Sequence, residues 1–229
     1  MKRIFLSILA AIGLWLPVQQ SAQAPDFLKG SEIHGSLQAD GTYYLADPKN
    51  GITDSTLDGK LMRMNGFTEL NYSLGDFSAG MRFEAYLPPL IGYDAPYQGA
   101  GVPYWYINYK NDFIDVTAGN FYEQFGNGMM FRTYQEWTLG YDNSLRGLRV
   151  KVTPYKGITL KGVYGVQRFY WEPFEDYNRG IVKGADADFY LNDIISGWKT
   201  SKVKLSLGAT FVSNYQQGKT TNIVQDGKV

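Results

Sequence analysis

Three stretches of this chain have side chains suited to catalysis or ligand binding, and the first contains His34 and Ser36. His34 is the only histidine among 229 residues. Residues i and i+2 share a face of a β-strand, but that spacing does not bring a hydroxyl into hydrogen-bond geometry with an imidazole. The chain also has no cysteine, so it lacks the His and Cys sets that bind zinc or iron. We therefore expect that the protein is not an enzyme and that it binds no resident metal or cofactor.

The second stretch contains two carboxylates, Asp186 and Asp188, which would share one face of a strand. Paired carboxylates can bind Ca²⁺ or take part in acid–base catalysis. The alternative is a polar wall in which Lys202 or Lys204, on the next strand, neutralises them. We favour the polar wall, and no catalytic role is predicted for the pair.

The third stretch is the glycine-rich segment 119–137, GNFYEQFGNGMMFRTYQEW. A glycine-rich loop that binds phosphate is followed by a helix whose backbone amides face the anion, usually with a lysine partner. Gly126-x-Gly128 has neither a predicted helix nor a lysine after it. We predict instead that these two glycines allow a sharp bend at φ angles above zero.

Composition narrows the class of protein. The chain carries 22 basic and 22 acidic side chains, so no basic surface for nucleic acid is expected. Aromatic residues make up 16% of the chain, with 26 glycines, which is typical of all-β proteins. Without cysteine the fold cannot depend on disulfides. Hydrogen bonding and burial must hold it.

The N-terminus predicts export. Lys2 and Arg3 precede an apolar run, and Ala22-x-Ala24 follows as a small-residue cleavage site, which together indicate a signal peptide over residues 1–24. A membrane-anchor helix is the alternative, although the apolar run is short for a span. Residues 25–229 are then predicted to form one partial β-barrel domain.

An apolar–polar alternation with period two recurs along residues 25–229, and no segment shows a convincing helical period. It is clearest between Lys202 and Tyr215. The alternation predicts nine strands, most of about ten residues. They are expected at 33–44, 62–72, 77–85, 103–109, 113–122, 148–152, 158–167, 182–191 and 202–215.

The predicted connections alternate between long and short. Long links at 46–59, 88–101, 123–144 and 171–181 are separated by short turns, with a shorter link near 196–201. Hairpins that cross a membrane sort their loops in this way. Strands of about ten residues match tilted transmembrane strands, and aromatics near strand ends match the headgroup level. Aromatics that simply end soluble strands are the alternative.

These patterns predict an all-β fold, an antiparallel up-and-down transmembrane β-barrel of porin type in the outer membrane, surrounded by lipid. Nine strands is an odd number, whereas bacterial single-chain barrels usually have an even one. The last ten residues, TTNIVQDGKV, contain no aromatic-ended strand. We therefore expect the N-terminal part of a larger barrel, with a missed strand or an unusual assembly as alternatives.

The barrel interpretation assigns side chains to the interior. Mixed signs at this density predict mutual pairing and no strong ion selection, and the excess of basic groups favours anionic solutes weakly. The predicted lumen-lining residues are Arg63, Glu69, Arg82, Glu84, Asp115, Arg149, Lys151, Lys161, Asp186, Asp188, Lys202 and Lys204. In general porins the third long loop folds inward to narrow the pore. By that analogy a constriction would contain Glu123, Arg132, Glu136 and Arg146, with Phe125, Met129, Met130 and Phe131 packing the loop onto the wall. A loop that caps the barrel or meets a partner is the alternative.

Segment 119–165 contains three motifs, GNFYEQFG at 119–126, RTYQEW at 132–137 and GYDNS at 140–144. On these motifs the chain resembles a family of exported barrel proteins from Bacteroidota that is known as a domain of unknown function. The family pattern has a GNFYEQFG-type start, an RTYEEW-type centre and a GYDNS-x-x-G-x-R-V end. The matching positions are 119–126, 132–134, 136–137, 140–144, Gly147 and Arg149. Gln135 stands where the pattern has glutamate. The resemblance implies a fold and a location but no activity.

The functional expectation is a porin or solute channel with a polar, mixed-charge lumen. One alternative is a structural or partner-binding barrel in a secretion, uptake or assembly complex, since the long aromatic loops exceed what a simple hairpin needs. A second alternative is a secreted or periplasmic β-rich protein that binds glycans. The sequence predicts no particular oligomeric state.

Overall fold

The computed structural model of the chain describes residues 29–137, 140–168, 171 and 180–215. The predicted signal peptide at 1–24 lies outside the described residues. The described strands all belong to the compact unit Ser31–Val229. No helix in this described part is long and apolar enough to cross a membrane.

Strands dominate the described residues, because the alternating sequence offers each of them one apolar and one polar face. They are β1 Ser31–Tyr43, β2 Met62–Leu74, β3 Phe77–Tyr86, β4 Gly99–Lys110, β5 Ile114–Phe121, β6 Gln135–Glu136, β7 Tyr141–Asp142, β8 Leu145–Tyr155, β9 Ile158–Gln167, β10 Ile181–Tyr190 and β11 Ser206–Tyr215. Nine of them form one sheet in the order β1-β2-β3-β4-β5-β8-β9-β10-β11. Every neighbouring pair is antiparallel. The predicted all-β, up-and-down architecture and its nine strands are confirmed.

Small elements lie between the strands. The helical turn α1, Asp54–Leu57, begins after Thr53, whose side chain accepts a hydrogen bond from the Thr56 amide, as an N-cap does. A second turn, α2, spans Leu191–Ile194. The sequence analysis missed β6 and β7, which pair within the long loop between β5 and β8. Two-residue strands are too short to show a period.

The two faces of the large sheet differ in chemistry. One face carries charged cross-strand pairs, such as Glu69 with Arg82 and Lys161 with Asp186, beside a few buried apolar side chains such as Phe67 and Leu145. We call this the polar face. The opposite face is apolar and exposed, and we call it the outer face. Its exposed members include Ile33, Leu37, Met64, Leu70, Met81, Phe83, Ile107, Leu148, Leu160, Leu207 and Phe211.

The sheet curls toward its polar face. Glu84 lies on β3, and Arg168 directly follows β9, four strand spacings away in the sheet. With strands about 4.8 Å apart, that is roughly 19 Å along the sheet. The two side chains nevertheless meet, with Arg168 Nη2 2.7 Å from Glu84 Oε2. Side chains span such a distance only if the sheet is curved, so the polar face is concave.

The connections are sorted by length, with one exception. The short links 75–76, 111–113 and 156–157 lie at one end of the sheet, and the long links 44–61, 87–98 and 122–144 at the other, where β9 also ends and β10 begins. The link 191–205 is also long but lies at the short-turn end, because β10 runs in the same direction as β2. Strict alternation of lengths is therefore wrong for the last hairpin.

The last strand begins later in the structure than the sequence predicted. β11 starts at Ser206, so Lys202 and Lys204 lie in the preceding link and do not line the polar face. The reason is Asn192, whose side chain donates to the Trp198 and Val203 carbonyls and accepts from the Leu205 amide. These bonds hold the link as a folded turn, although its residues alternate like a strand.

Candidate functional site on the polar face

The long loop 122–144 lies over the concave polar face and forms its own short hairpin. Gln124 and Arg132 form an isolated bridge, and the Phe125 amide donates to the Phe131 carbonyl at 3.1 Å. Gly126 and Gly128 have φ angles of 49° and 84°. The predicted bend at positive φ is therefore confirmed at both glycines, a conformation that other residues adopt at a cost.

Two phenylalanines fix the tip of this loop to the wall. Phe125 and Phe131 are buried in one cluster with Phe121, Leu145, Val163 and Val182. Their predicted wall packing is thus present. Met129 and Met130 point away and are 85% and 66% exposed. Both methionines were expected to pack with the phenylalanines. The chain bends at the two positive-φ glycines, and the segment between Phe125 and Phe131 turns outward.

The end of the loop is held by four buried charges, which we call the Arg82 cluster: Arg82, Glu84, Asp142 and Arg168. Arg168 binds Glu84 through both terminal nitrogens, at 3.0 and 2.7 Å, and its Nη1 lies 2.6 Å from Asp142 Oδ2. Arg82 contacts Glu84 at 2.7 Å and Asp142 at 2.5 Å. Two cations and two anions make the cluster neutral, and paired hydrogen bonds offset the cost of burying them.

Neighbouring groups complete the Arg82 cluster. Gln135 on β6 accepts from Arg82 at 2.8 Å, and the Tyr122 hydroxyl accepts from the same guanidinium and donates to Gln135. Burial raises the pKa of Tyr122, and the Asp142 carboxylate raises it further. Burial disfavours the charge on Arg168, but Glu84 and Asp142 outweigh it and raise the pKa of that guanidinium. Tyr122 therefore stays a neutral hydrogen-bond donor and Arg168 a fixed cation.

The start of the loop is held by a second group, the Arg149 cluster: Asp115, Glu123, Arg149, Lys161 and Asp186. Arg149 lies 2.8 Å from Asp115 and 2.7 Å from Glu123. Lys161 lies 3.3 Å from Glu123 and 3.7 Å from Asp186. The side chains of Asp115, Glu123, Arg149 and Lys161 keep 12–17% of their surface exposed. Three acids against two bases leave this cluster with an excess negative charge.

The structure places ten of the predicted lumen-lining residues on the polar face of strands: Arg63, Glu69, Arg82, Glu84, Asp115, Arg149, Lys151, Lys161, Asp186 and Asp188. Lys202 and Lys204 are the exceptions. Asp186 is neutralised by Lys161 and bonded by the Thr210 hydroxyl at 2.6 Å, not by the two lysines that were expected beside it.

The four predicted constriction residues have different surroundings. Glu123 is paired with the wall in the Arg149 cluster. Arg132 is exposed and lies over the Tyr134 ring, and Glu136 is half-buried in β6. Arg146 bonds Asn120 and the Pro103 carbonyl at the loop end of β8. Glu123 alone of the four joins the charge clusters described above.

Sequence reasoning missed Arg168 and three tyrosines, Tyr104, Tyr106 and Tyr122, as parts of the site. Arg168 follows β9 by one residue, outside any alternation, so it had no local signal. The tyrosines were interpreted as strand-end aromatics. Asp142 stands inside the GYDNS motif that carried the family resemblance, and its ion pairs now give that position a structural role.

The fold and site define an all-β protein whose large curved, up-and-down sheet has an apolar outer face and a concave polar face, with one long loop held on it by ion pairs. The chain belongs to a family of unknown function, DUF6029, whose model matches residues 1–228. The resemblance to a domain of unknown function is confirmed to that extent. No curated protein matches the chain.

Proposed function

We propose that this protein is part of an outer-membrane β-barrel of Bacteroidota that works as a porin-like solute channel. The observation that carries the proposal is the placement of polarity: the concave face holds both charge clusters together with two small apolar clusters, and the exposed face is apolar. A sheet of a water-soluble protein turns its apolar face to a core, whereas a membrane barrel turns it to lipid.

The outer face is too apolar for water. Leu37, Ile33 and Phe211 are 80%, 69% and 66% exposed, and they belong to a surface that continues over all nine strands of the sheet. Contiguous apolar patches above a few hundred Å² on soluble monomers mark interaction sites. Each Å² transferred from water to an apolar medium contributes about 25 cal/mol, so lipid would stabilise this face strongly.

The two end strands support a larger barrel. β1 and β11 lie at opposite ends of the sheet order, and among the described residues each has a strand partner on one side only. In lipid each unsatisfied backbone group costs several kcal/mol. We propose that further strands pair with both edges and close the barrel, with loop 122–144 narrowing its interior.

Two measurements test the proposal. Native membranes washed with alkaline carbonate should retain the protein, and release into the supernatant would contradict membrane insertion. Purified full-length protein in planar bilayers should conduct, with weak ion selectivity because the interior charges are paired. Absence of conductance under every voltage and solute tried would contradict the channel function but not the barrel fold.

A structural or partner-binding barrel is the second candidate, favoured by how completely the loop is anchored. Phe125 and Phe131 bury against the wall, and the Arg82 cluster seals the loop's other end. A filled interior of this kind suits a scaffold subunit. Carbonate resistance without conductance, together with stoichiometric partners in affinity purification, would favour this candidate. A secreted or periplasmic glycan-binding protein would instead be released by carbonate.

A further inference from the structure

A groove on the polar face, lined by residues from β2 to β5 and by Arg149 of β8, is not filled by either charge cluster. Two cavities of about 190 and 310 Å³ share the lining residues Tyr104, Tyr106 and Tyr122. The larger falls at the lower end of the size range of small-molecule sites, about 300–1,000 Å³. Three aromatic rings in one polar groove are a recognisable combination for a ligand that has both an apolar and a polar side.

Tyr106 provides a flat surface in this groove. It is the register partner of Gly80 on the neighbouring strand, and a Cβ atom at Gly80 would overlap the Tyr106 ring. The ring therefore lies across the glycine backbone, an arrangement that requires the absence of a side chain there. The ring also lines both cavities of the groove.

Neutral polar groups surround that ring without partners in the part of the chain that the structure describes. They are the Asn71 amide nitrogen, the Asn108 amide oxygen, and the hydroxyls of Ser78 and Tyr104. Asn71 and Asn108 are oriented by other bonds, since Asn71 Oδ1 accepts from Tyr106 at 3.0 Å and Asn108 Nδ2 donates to Asp115 at 2.7 Å. Donors and acceptors are thus both present at fixed positions.

The charges that border the groove are all engaged with one another. Arg149 is paired with Asp115 and Glu123, and Arg82 with Glu84 and Asp142. An anionic ligand would have to compete with the carboxylates of these ion pairs, at the cost of leaving a partner uncompensated. A neutral ligand meets no such cost, because its hydrogen bonds go to the groups that have no partner.

We propose that the groove is a binding site for a neutral sugar, with one ring stacked on Tyr106 and its hydroxyls bonded to Asn71, Asn108 and Ser78. A sugar ring has an apolar C–H face and a rim of hydroxyls that both donate and accept, which matches a flat aromatic surface bordered by amides and hydroxyls. This site deepens the proposed channel function, on which it rests, by assigning neutral saccharides as its solute class.

Isothermal titration of the full-length protein in detergent tests the site directly, with maltotriose, cellotriose and xylotriose as probes. Binding of at least one of them is expected. Tyr106→Ala should weaken it roughly tenfold, because the stacking surface is lost, while Tyr106→Phe should weaken it only about threefold, because the ring remains and the loss is the hydroxyl's bond to Asn71. Ile107→Ala, on the same strand but the outer face, is the matched control and should bind as the unchanged protein does.

Ser78→Ala provides a second variant that leaves the ring packing intact. It should weaken binding about threefold to tenfold, the loss of one neutral hydrogen bond, with no change in thermal unfolding. Absence of binding by all three trisaccharides would overturn the proposal, as would wild-type affinity in both Tyr106→Ala and Ser78→Ala. Calorimetry does not depend on conductance, so a protein that conducts but binds no sugar refutes the site alone. One that binds sugar but never conducts refutes the channel alone.

Discussion

Two charge clusters hold the same loop at its two ends, and they differ in their access to water. The Arg82 cluster, at the loop's end, is sealed: its four side chains are 0–7% exposed and its charges sum to zero. The Arg149 cluster, at the start, borders the larger groove cavity and has an excess negative charge. The Arg82 cluster can anchor the loop, but because it is neutral it contributes little to the electrostatic field of the interior. The Arg149 cluster can alter that field, but it anchors the loop more weakly.

The physical reason for the difference is desolvation. Buried ions depend entirely on their partners, so removal of one leaves an uncompensated charge in a medium of low dielectric constant. Partly exposed ions are rescued by water when a partner is lost. The two clusters should therefore respond very differently to single substitutions.

The largest effect is expected for Arg168→Met, which removes the cation that joins Glu84 to Asp142. The free energy of unfolding should fall by about 3–5 kcal/mol, measured by urea unfolding of the protein in lipid vesicles. Lys151→Met is the matched control, because Lys151 is half-buried on the same face but makes no ion pair among the described residues, and it should change stability by less than about 0.5 kcal/mol. Equal losses of unfolding free energy in the two variants would show that the Arg82 cluster stabilises the fold no more than an unpaired charge on the same face does.

A smaller effect is expected for Glu123→Gln in the Arg149 cluster. It removes two ion pairs, but Arg149 keeps Asp115 and Lys161 keeps Asp186. The expected loss of stability is about 1–2 kcal/mol. Because the excess negative charge of the cluster disappears, ion selectivity in planar bilayers should shift toward anions. A loss as large as that of Arg168→Met would show that both ends of the loop are sealed alike.

The strands of this protein could be predicted because alternation is a local signal. All nine strands of the sheet follow from period two, and the bend at the two positive-φ glycines follows from residue type, because glycine adopts such angles without strain. The Arg82 cluster could not be predicted, because Arg168 and Glu84 are distant in sequence and meet only once the sheet has curled. Curvature depends on the whole sheet, and no short pattern encodes it.

The errors at the last hairpin have the opposite origin. Lys202 and Lys204 continue an alternation that is visible in the sequence, yet Asn192 binds the backbone of this link and ends the strand early. A side chain that caps backbone groups can override a periodic pattern. Asn192 lies well before β11 in the sequence, so no short spacing pattern connected it to the backbone groups that it binds in the link.

Salt should separate the two clusters further. Screening acts on exposed charges and far less on buried ones. In a double-mutant cycle, the Arg149–Glu123 coupling energy should fall by about half between roughly 0.05 M and 0.5 M salt, while the Arg82–Asp142 coupling stays constant. The matched Lys161–Glu123 pair should behave like the former, since its side chains are exposed to a similar extent. A salt-independent Arg149–Glu123 coupling would mean that water does not reach that cluster.

The smallest effect is expected for Arg132→Ala, which returns to the constriction predicted from sequence. Arg132 is exposed, and its guanidinium lies 4.7 Å from the centre of the Tyr134 ring, a contact that contributes about 0.5–1 kcal/mol at an exposed site. Its backbone bridge to Gln124 does not need the side chain. Stability should therefore change by less than about 1 kcal/mol, and conductance and selectivity should stay as they are. If Arg132→Ala shifted selectivity as strongly as Glu123→Gln, the tip of the loop would lie across the solute path, and the wall-bound cluster would not be the main source of the interior field.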